Sequence, residues 1–134
     1  GATARPARRS VVTALELQRE FSTADLCRLS GCTYRQADHW ARTGALPPSL
    51  KESTGSGDYR VYSADDVRVA SAFRALSEAG FGNAWRAGMD SFAEVAVHVR
   101  AFGLSSVLAL AGGLVWVNLD AIADPFVDAD AIAL

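Results

Sequence analysis

Two helix starts with one glycine between them constrain this chain more than any other feature in it. Ser22 followed by Asp25, and Thr33 followed by Gln36, each have the form of a capping box. In that pattern the first side chain accepts from a backbone N–H one turn on, while the later side chain reaches back to the first residue's own N–H. Gly31 stands where a left-handed residue would end the first helix. Phe21 is placed to staple onto Leu26, and Cys32 to face Ala37 in the same way. Leu26 and Leu29, with Ala24 or Cys27, make the first apolar stripe. A chain punctuated like this forms two short helices joined by a tight turn, and the second is TYRQADHWART, Thr33 to Thr43.

On that second helix Ala37, Trp40 and Ala41 recur at helical spacing and face inward, which leaves Tyr34, Arg35, Asp38, His39 and Arg42 outside. Such a row taken alone is an ordinary solvated face. The next stretch of chain changes its weight. After Gly44, Leu46 and the Pro47-Pro48 pair, Leu50 to Ser63 reads as two short strands around Ser53 to Gly57, with Lys51 and Arg60 as cations and Tyr59 and Tyr62 as aromatics. Helix, turn, helix and basic hairpin wing together make a module for double-stranded DNA. Arg35 can pair bidentately with a guanine edge or grip a phosphate, Gln36 can address adenine if its capping role is released, and the N-terminus at Thr33 favours a phosphate. Lys51, Arg60 and the loop amides suit the backbone beside the groove that the helix enters.

The remainder reads as scaffold. Ser63 and Asp66 form a third capping box, with Asp65 and Asp66 where the helix dipole favours acids, and Val67, Ala70, Phe73, Leu76 and Ala79 or Ser77 line a buried stripe ending at Gly80. From Phe81 the pattern suggests one interrupted helix or two short ones, broken at Gly88 or Asp90-Ser91, with Phe92, Val95 or Ala96, Val99 and Phe102 on one face. Ser105 to Leu119 reads as two strands joined at Gly112-Gly113. Both faces of that hairpin are apolar, so the preceding helix should cover one, and a second subunit the other or the hairpin's edge. The end is acidic, broken at Pro125, and reads as a strand extension and a loose tail. The expected fold class is mainly α with small β. It divides into a flexible basic arm over 1–10 carrying Arg5, Arg8 and Arg9, a winged helix-turn-helix over 11–82, where Val11 to Gln18 leads in as a short helix or strand, and a helix plus hairpin over 83–134.

Net charge is −2, which looks wrong for a DNA binder until it is divided. Residues 1–80 hold eleven Lys and Arg against nine acids, and residues 81–134 hold two Arg against six acids. The cations belong to the proposed reader.

The linked pieces FSTADLCRLSGCTYRQADHWARTGALPP, GDYRVYS, the helix opening at Asp65-Asp66-Val67 and the closing Ala79-Gly80-Phe81 resemble the DNA-binding domain of MerR-type transcriptional regulators, over about residues 18–90. The resemblance implies a winged helix-turn-helix, a homodimer and an inverted-repeat site that the dimer distorts. By position it implies that Thr33, Tyr34 and Arg35 approach the major groove while Arg60 and Tyr62 hold the wing on the backbone. The chain departs from that family where its long dimerising coiled coil should follow Gly82, since Gly88 interrupts the segment, and it has no cysteine after Cys32 for thiolate metal sensing.

The expected DNA-facing set is therefore Thr33, Tyr34, Arg35, Gln36, His39, Arg42, Lys51, Tyr59, Arg60 and Tyr62. Homodimerisation is expected through residues 83–134. The alternative is an excisionase-like or architectural DNA binder that directs recombination. Trp85, Trp116, Phe92, Phe102 and Phe126 either line a pocket for an unidentified small-molecule effector or form the core of a small dimer. Catalysis is not expected: His39 and His98 are isolated, and the paired acids sit at helix starts where capping explains them. Cys27 and Cys32, read as one buried and one turn thiol, are too few for a zinc site, and no metal or cofactor is expected. No apolar run reaches the roughly 18 residues a membrane span needs, and the start of the chain lacks a secretion pattern, so a cytoplasmic location is expected.

Overall fold

The computed structural model describes residues 20–51, 59–80, 85–110, 113 and 115–126. These form helices α1 (Thr23–Ser30), α2 (Tyr34–Thr43), α3 (Ala64–Glu78) and α4 (Trp85–Phe102), then strands β1 (Val107–Leu110) and β2 (Val115–Asn118) and a 3-10 turn at Leu119–Ala121. The fold is mainly helical with a small antiparallel sheet. The expected arm and lead-in fall within residues 1–19, outside the described residues.

All three capping boxes form, with Ser22, Thr33 and Ser63 as N-caps and Asp25, Gln36 and Asp66 as their reciprocal partners. Gly31 ends α1 at φ 80°, and Gly44 ends α2 at φ 81°. Gly31 meets a second demand: a Cβ there would lie 3.0 Å from Cδ of Arg74. Arg74, on α3, crosses this glycine to donate from Nε to the Ser30 carbonyl at 2.8 Å, so it satisfies one of the carbonyls that α1 leaves open. The helix-turn-helix is thereby fixed onto α3.

The wing is anchored from behind. Phe21 and Tyr62 exchange backbone hydrogen bonds of 2.9 and 2.8 Å, and Lys51 pairs with Val61 in a second antiparallel bridge. The expected loop from Ser53 to Gly57 lies outside the described residues. The return arm therefore lies against the residue that precedes the N-cap of α1, and Phe21 is part of the core as well as a staple.

One apolar core runs through the described chain. Trp40 of α2 meets Phe73 of α3 edge-on at 5.3 Å, and Phe73 meets Phe92 of α4 at 4.6 Å. Four expectations change here. α4 continues through Gly88, Asp90 and Ser91 without a break, because the buried stripe Phe92, Val95 and Val99 outweighs the roughly 1 kcal/mol that a mid-helix glycine costs. Phe102, expected on that stripe, is 69% exposed at the last turn of α4. Ala79, offered with Ser77 as the last buried position on α3, is exposed. The segment after β2 is docked as far as Phe126, which is fully buried, packs edge-on against Phe21 at 5.7 Å and lies 4.6 Å under the Arg68 guanidinium.

In the hairpin Leu108 pairs with Val117 and Leu110 with Val115. Leu110 is buried, whereas Val107 and Trp116, on the opposite face, are exposed. The second apolar face is therefore open in this chain, and the Gly112-Gly113 turn is described only at Gly113.

Asp66 does more than favour a helix dipole. It is fully buried, and its carboxylate accepts from the Ser63 and Ser49 backbone N–H groups at 2.9 and 3.0 Å, from the Ser49 hydroxyl at 2.5 Å and from Arg100 at 2.6 Å. One carboxylate thus joins the start of α3, the approach to the wing and α4.

Candidate nucleic-acid interface

The capping pair fixes how α2 begins. Gln36 N–H donates to the Thr33 hydroxyl and Thr33 N–H to the Gln36 side-chain oxygen, each at 3.0 Å. Both residues of the expected set are engaged in capping. Beyond them Ala37, Trp40 and Ala41 are buried, while Tyr34, Arg35, His39 and Arg42 are exposed. The helix has committed one face to the core and left the other outside.

The wing approaches this outer face. Tyr59 is 65% exposed, and the Lys51 ammonium lies 4.7 Å from the centroid of its ring. Arg60 points back toward α2 and donates to Oδ1 of Asp38 at 3.0 Å. Arg42 donates to the other oxygen from Nε at 2.9 Å and from a terminal nitrogen at 2.5 Å. Hydrogen bonds from Arg42 and then Arg60 hold the Asp38 carboxyl below its ordinary range, and Asp38 raises Arg42 in return. Tyr34, Tyr59, Arg60, Asp38 and the residues around the start of α1, Ser22 to Ala24, line a hollow of about 350 Å³.

Tyr34, Arg35, His39 and Arg42 thus stand on the side of α2 turned away from the core, and Arg60 reaches that helix from the wing, with Lys51 and Tyr59 beside it. Tyr62 leaves the set. Its side chain is fully buried and burial pushes its phenol up to about 12, so its role is to pack beneath the wing rather than to meet a ligand. Asp38 gains a role that its outward position alone did not suggest. Its four-residue spacing to Arg42 is visible in sequence, but its link to Arg60 depends on where the wing folds.

Cys27 lies on α1 and Cys32 in the turn as expected, but it is the turn thiol that is the more buried. Cys32 is buried and Cys27 only partly so, with their sulfurs 3.8 Å apart. Burial, reinforced by Cys32, pushes the Cys27 thiol up to about 12. Among the described residues no group of three or more His, Cys, Asp and Glu side chains could hold a metal ion. Of the five aromatics the Trp85 side chain lies outside the described residues, and the other four do not gather around one pocket: Phe92 and Phe126 are in the core while Phe102 and Trp116 are exposed. Among the described residues no helix is long and apolar enough to cross a membrane.

Two capped helices around a glycine turn, a third helix behind them and a basic wing on their outer side define a winged helix-turn-helix module. Residues 21–84 match the family described as MerR HTH family regulatory protein, and this segment is a helix-turn-helix domain of that family, which implies DNA binding. The chain is also similar to proteins named uncharacterized HTH-type transcriptional regulator in Mycobacterium bovis and Mycobacterium tuberculosis, at 43% identity over 54 residues, 40% of this chain and 24% of the relative. The chain thus spans about a quarter of the length of these relatives. No solved structure matches it at a significant level.

Proposed function

We infer that this chain is the DNA-reading part of a sequence-specific transcriptional regulator, in which α2 enters the major groove and the wing, residues 51–62, holds the backbone. The observation that carries this reading is the outward row Tyr34, Arg35, His39 and Arg42 on a helix whose other face is locked in the core, with Arg60 brought beside it by the wing. Arg35 has the donor geometry to read a base edge, whereas Arg60 and Lys51 serve phosphates. Dimerisation occurs through residues 83–134, supported by Val97, Phe102, Val107 and Trp116, large apolar side chains more than half exposed around α4 and the hairpin.

Sites selected from random duplex DNA should contain an inverted repeat, and affinity should fall steeply with salt. Arg35→Ala should erase most discrimination between selected and scrambled duplexes, while Lys51→Ala should weaken both alike. A protein that binds every duplex equally would sink this reading. Trp116→Glu should halve the solution mass while leaving the far-ultraviolet dichroism of the helices in place. A direct-repeat site bound by a monomer would favour a recombination-directing role instead.

A further inference from the structure

We propose that Asp38 determines specificity as a positioning residue, holding Arg42 and Arg60 on one carboxylate so that neither cation is freely available to an arbitrary phosphate backbone. The proposal rests on the reading of α2 and the wing as the DNA-facing surface. Its basis is an acid placed where a surface of that kind would be expected to carry none. Asp38 stands on the outward side of α2, one turn before Arg42, and both of its oxygens are occupied by guanidinium groups from two different elements. Arg60, at 17% side-chain exposure, is drawn down against α2, whereas Arg42 is 74% exposed and is tethered by its bonds to Asp38.

Backbone affinity without sequence preference grows with the number of phosphates a protein neutralises, each adding about 0.9 to the slope of log affinity against log salt. Two arginines that share one carboxylate contribute less to that term than two free ones. Asp38 is also itself repelled by phosphates. A chain with net charge −2 gains little from general attraction, and the acid lowers that gain further. Selectivity rises when affinity for wrong sites falls more than affinity for the right one. In register, Arg60 keeps one terminal nitrogen on Asp38 and presents the rest of its fork to a phosphate beside the hollow formed with Tyr34 and Tyr59. Out of register, the same bond holds it back.

The test uses fluorescence anisotropy of the whole chain on a selected duplex and on a scrambled one of equal length, across a salt series, with thermal melts alongside. Asp38→Asn keeps the shape and removes the charge, and Asp38→Ala removes both acceptors. Affinity for the scrambled duplex should rise about tenfold at low salt, affinity for the selected site should change by less than about threefold, and the salt slope on scrambled DNA should steepen by about 1 to 2. In an Arg60→Ala background the gain from Asp38→Asn should shrink, which a purely structural role would not produce. If wild type discriminates and both Asp38 variants keep the same ratio of affinities, Asp38 is not a positioning residue. A change of preference at a single base pair would show direct base reading and overturn the proposal as well. If wild type itself makes no distinction between duplexes, the underlying reading fails, and that outcome is visible before any variant is measured.

Discussion

At Gly31 a single Cα position serves two ends. Its φ of 80° lies where a side chain is strained, and the space a Cβ would occupy holds Arg74, which is bonded to the Ser30 carbonyl. Gly44 has nearly the same φ, 81°, yet a Cβ there would meet nothing within 4 Å. The two glycines therefore separate backbone strain from close packing. Gly44→Ala should lower stability by about 1 kcal/mol, from the left-handed backbone alone. Gly31→Ala should cost about 2 to 3 kcal/mol, because Arg74 must also move and leave a helix-end carbonyl open. Urea unfolding of both variants measures the difference, and equal midpoints would show that the Arg74 contact contributes nothing. The sequence marks Gly31 as a helix end and Gly44 as a stop, since that signal is local. It does not mark Gly31 as the more demanding one, because Arg74 is 44 residues away from Ser30 along the chain.

At the level of elements, the helix starts were legible and their surroundings were not. A capping box needs only four consecutive residues, so Ser22, Thr33 and Ser63 could be read directly, and the buried stripes of α2 and α3 followed from spacing. The unbroken α4 was not legible because its glycine argued for a break, and only packing against α3 decides otherwise. Nor was the full role of Asp66, whose ion pair with Arg100 spans 34 positions. Within the candidate site, the outward row of α2 was legible for the same local reason, whereas the place of Tyr62 was not, because alternation in a short wing does not say which face the core takes. The caps themselves carry a pH signature. Asp25 is held below its ordinary value of 3.8, first by the Ser22 backbone N–H that it accepts from. A carboxyl lowered in the folded state stabilises it fully above the unfolded pKa, and that contribution is lost as pH falls through the lower folded value. Asp25→Asn should therefore cost about 0.5 to 1 kcal/mol near neutral pH and very little near pH 2. Thermal midpoints at the two pH values check this. A cost that stays constant with pH would mean that the charge on Asp25 does not matter to the cap.

The whole molecule is tied together through the ring series Trp40, Phe73 and Phe92, which passes from the proposed reading helix to the far half of the chain. The polar link from Asp66 to Arg100 runs from the wing approach to the same α4. A helix-turn-helix built this way does not stand apart from the C-terminal half, because α3 packs against α4 as well as against the reading helix. Phe92→Ala, on α4 and remote from the DNA-facing side chains, should cost about 3 to 4 kcal/mol, since it opens a cavity directly against Phe73. The informative readout is Trp40, which is 3% exposed, followed in a background where Trp85 and Trp116 are replaced by Phe. Urea unfolding of that chain should show Trp40 emission and helix dichroism falling together, and Phe92→Ala should shift both midpoints by the same amount. If the Trp40 transition stayed in place while the dichroism moved, the two halves would be separate cooperative units, and an event at α4 would have no packed route to the reading helix.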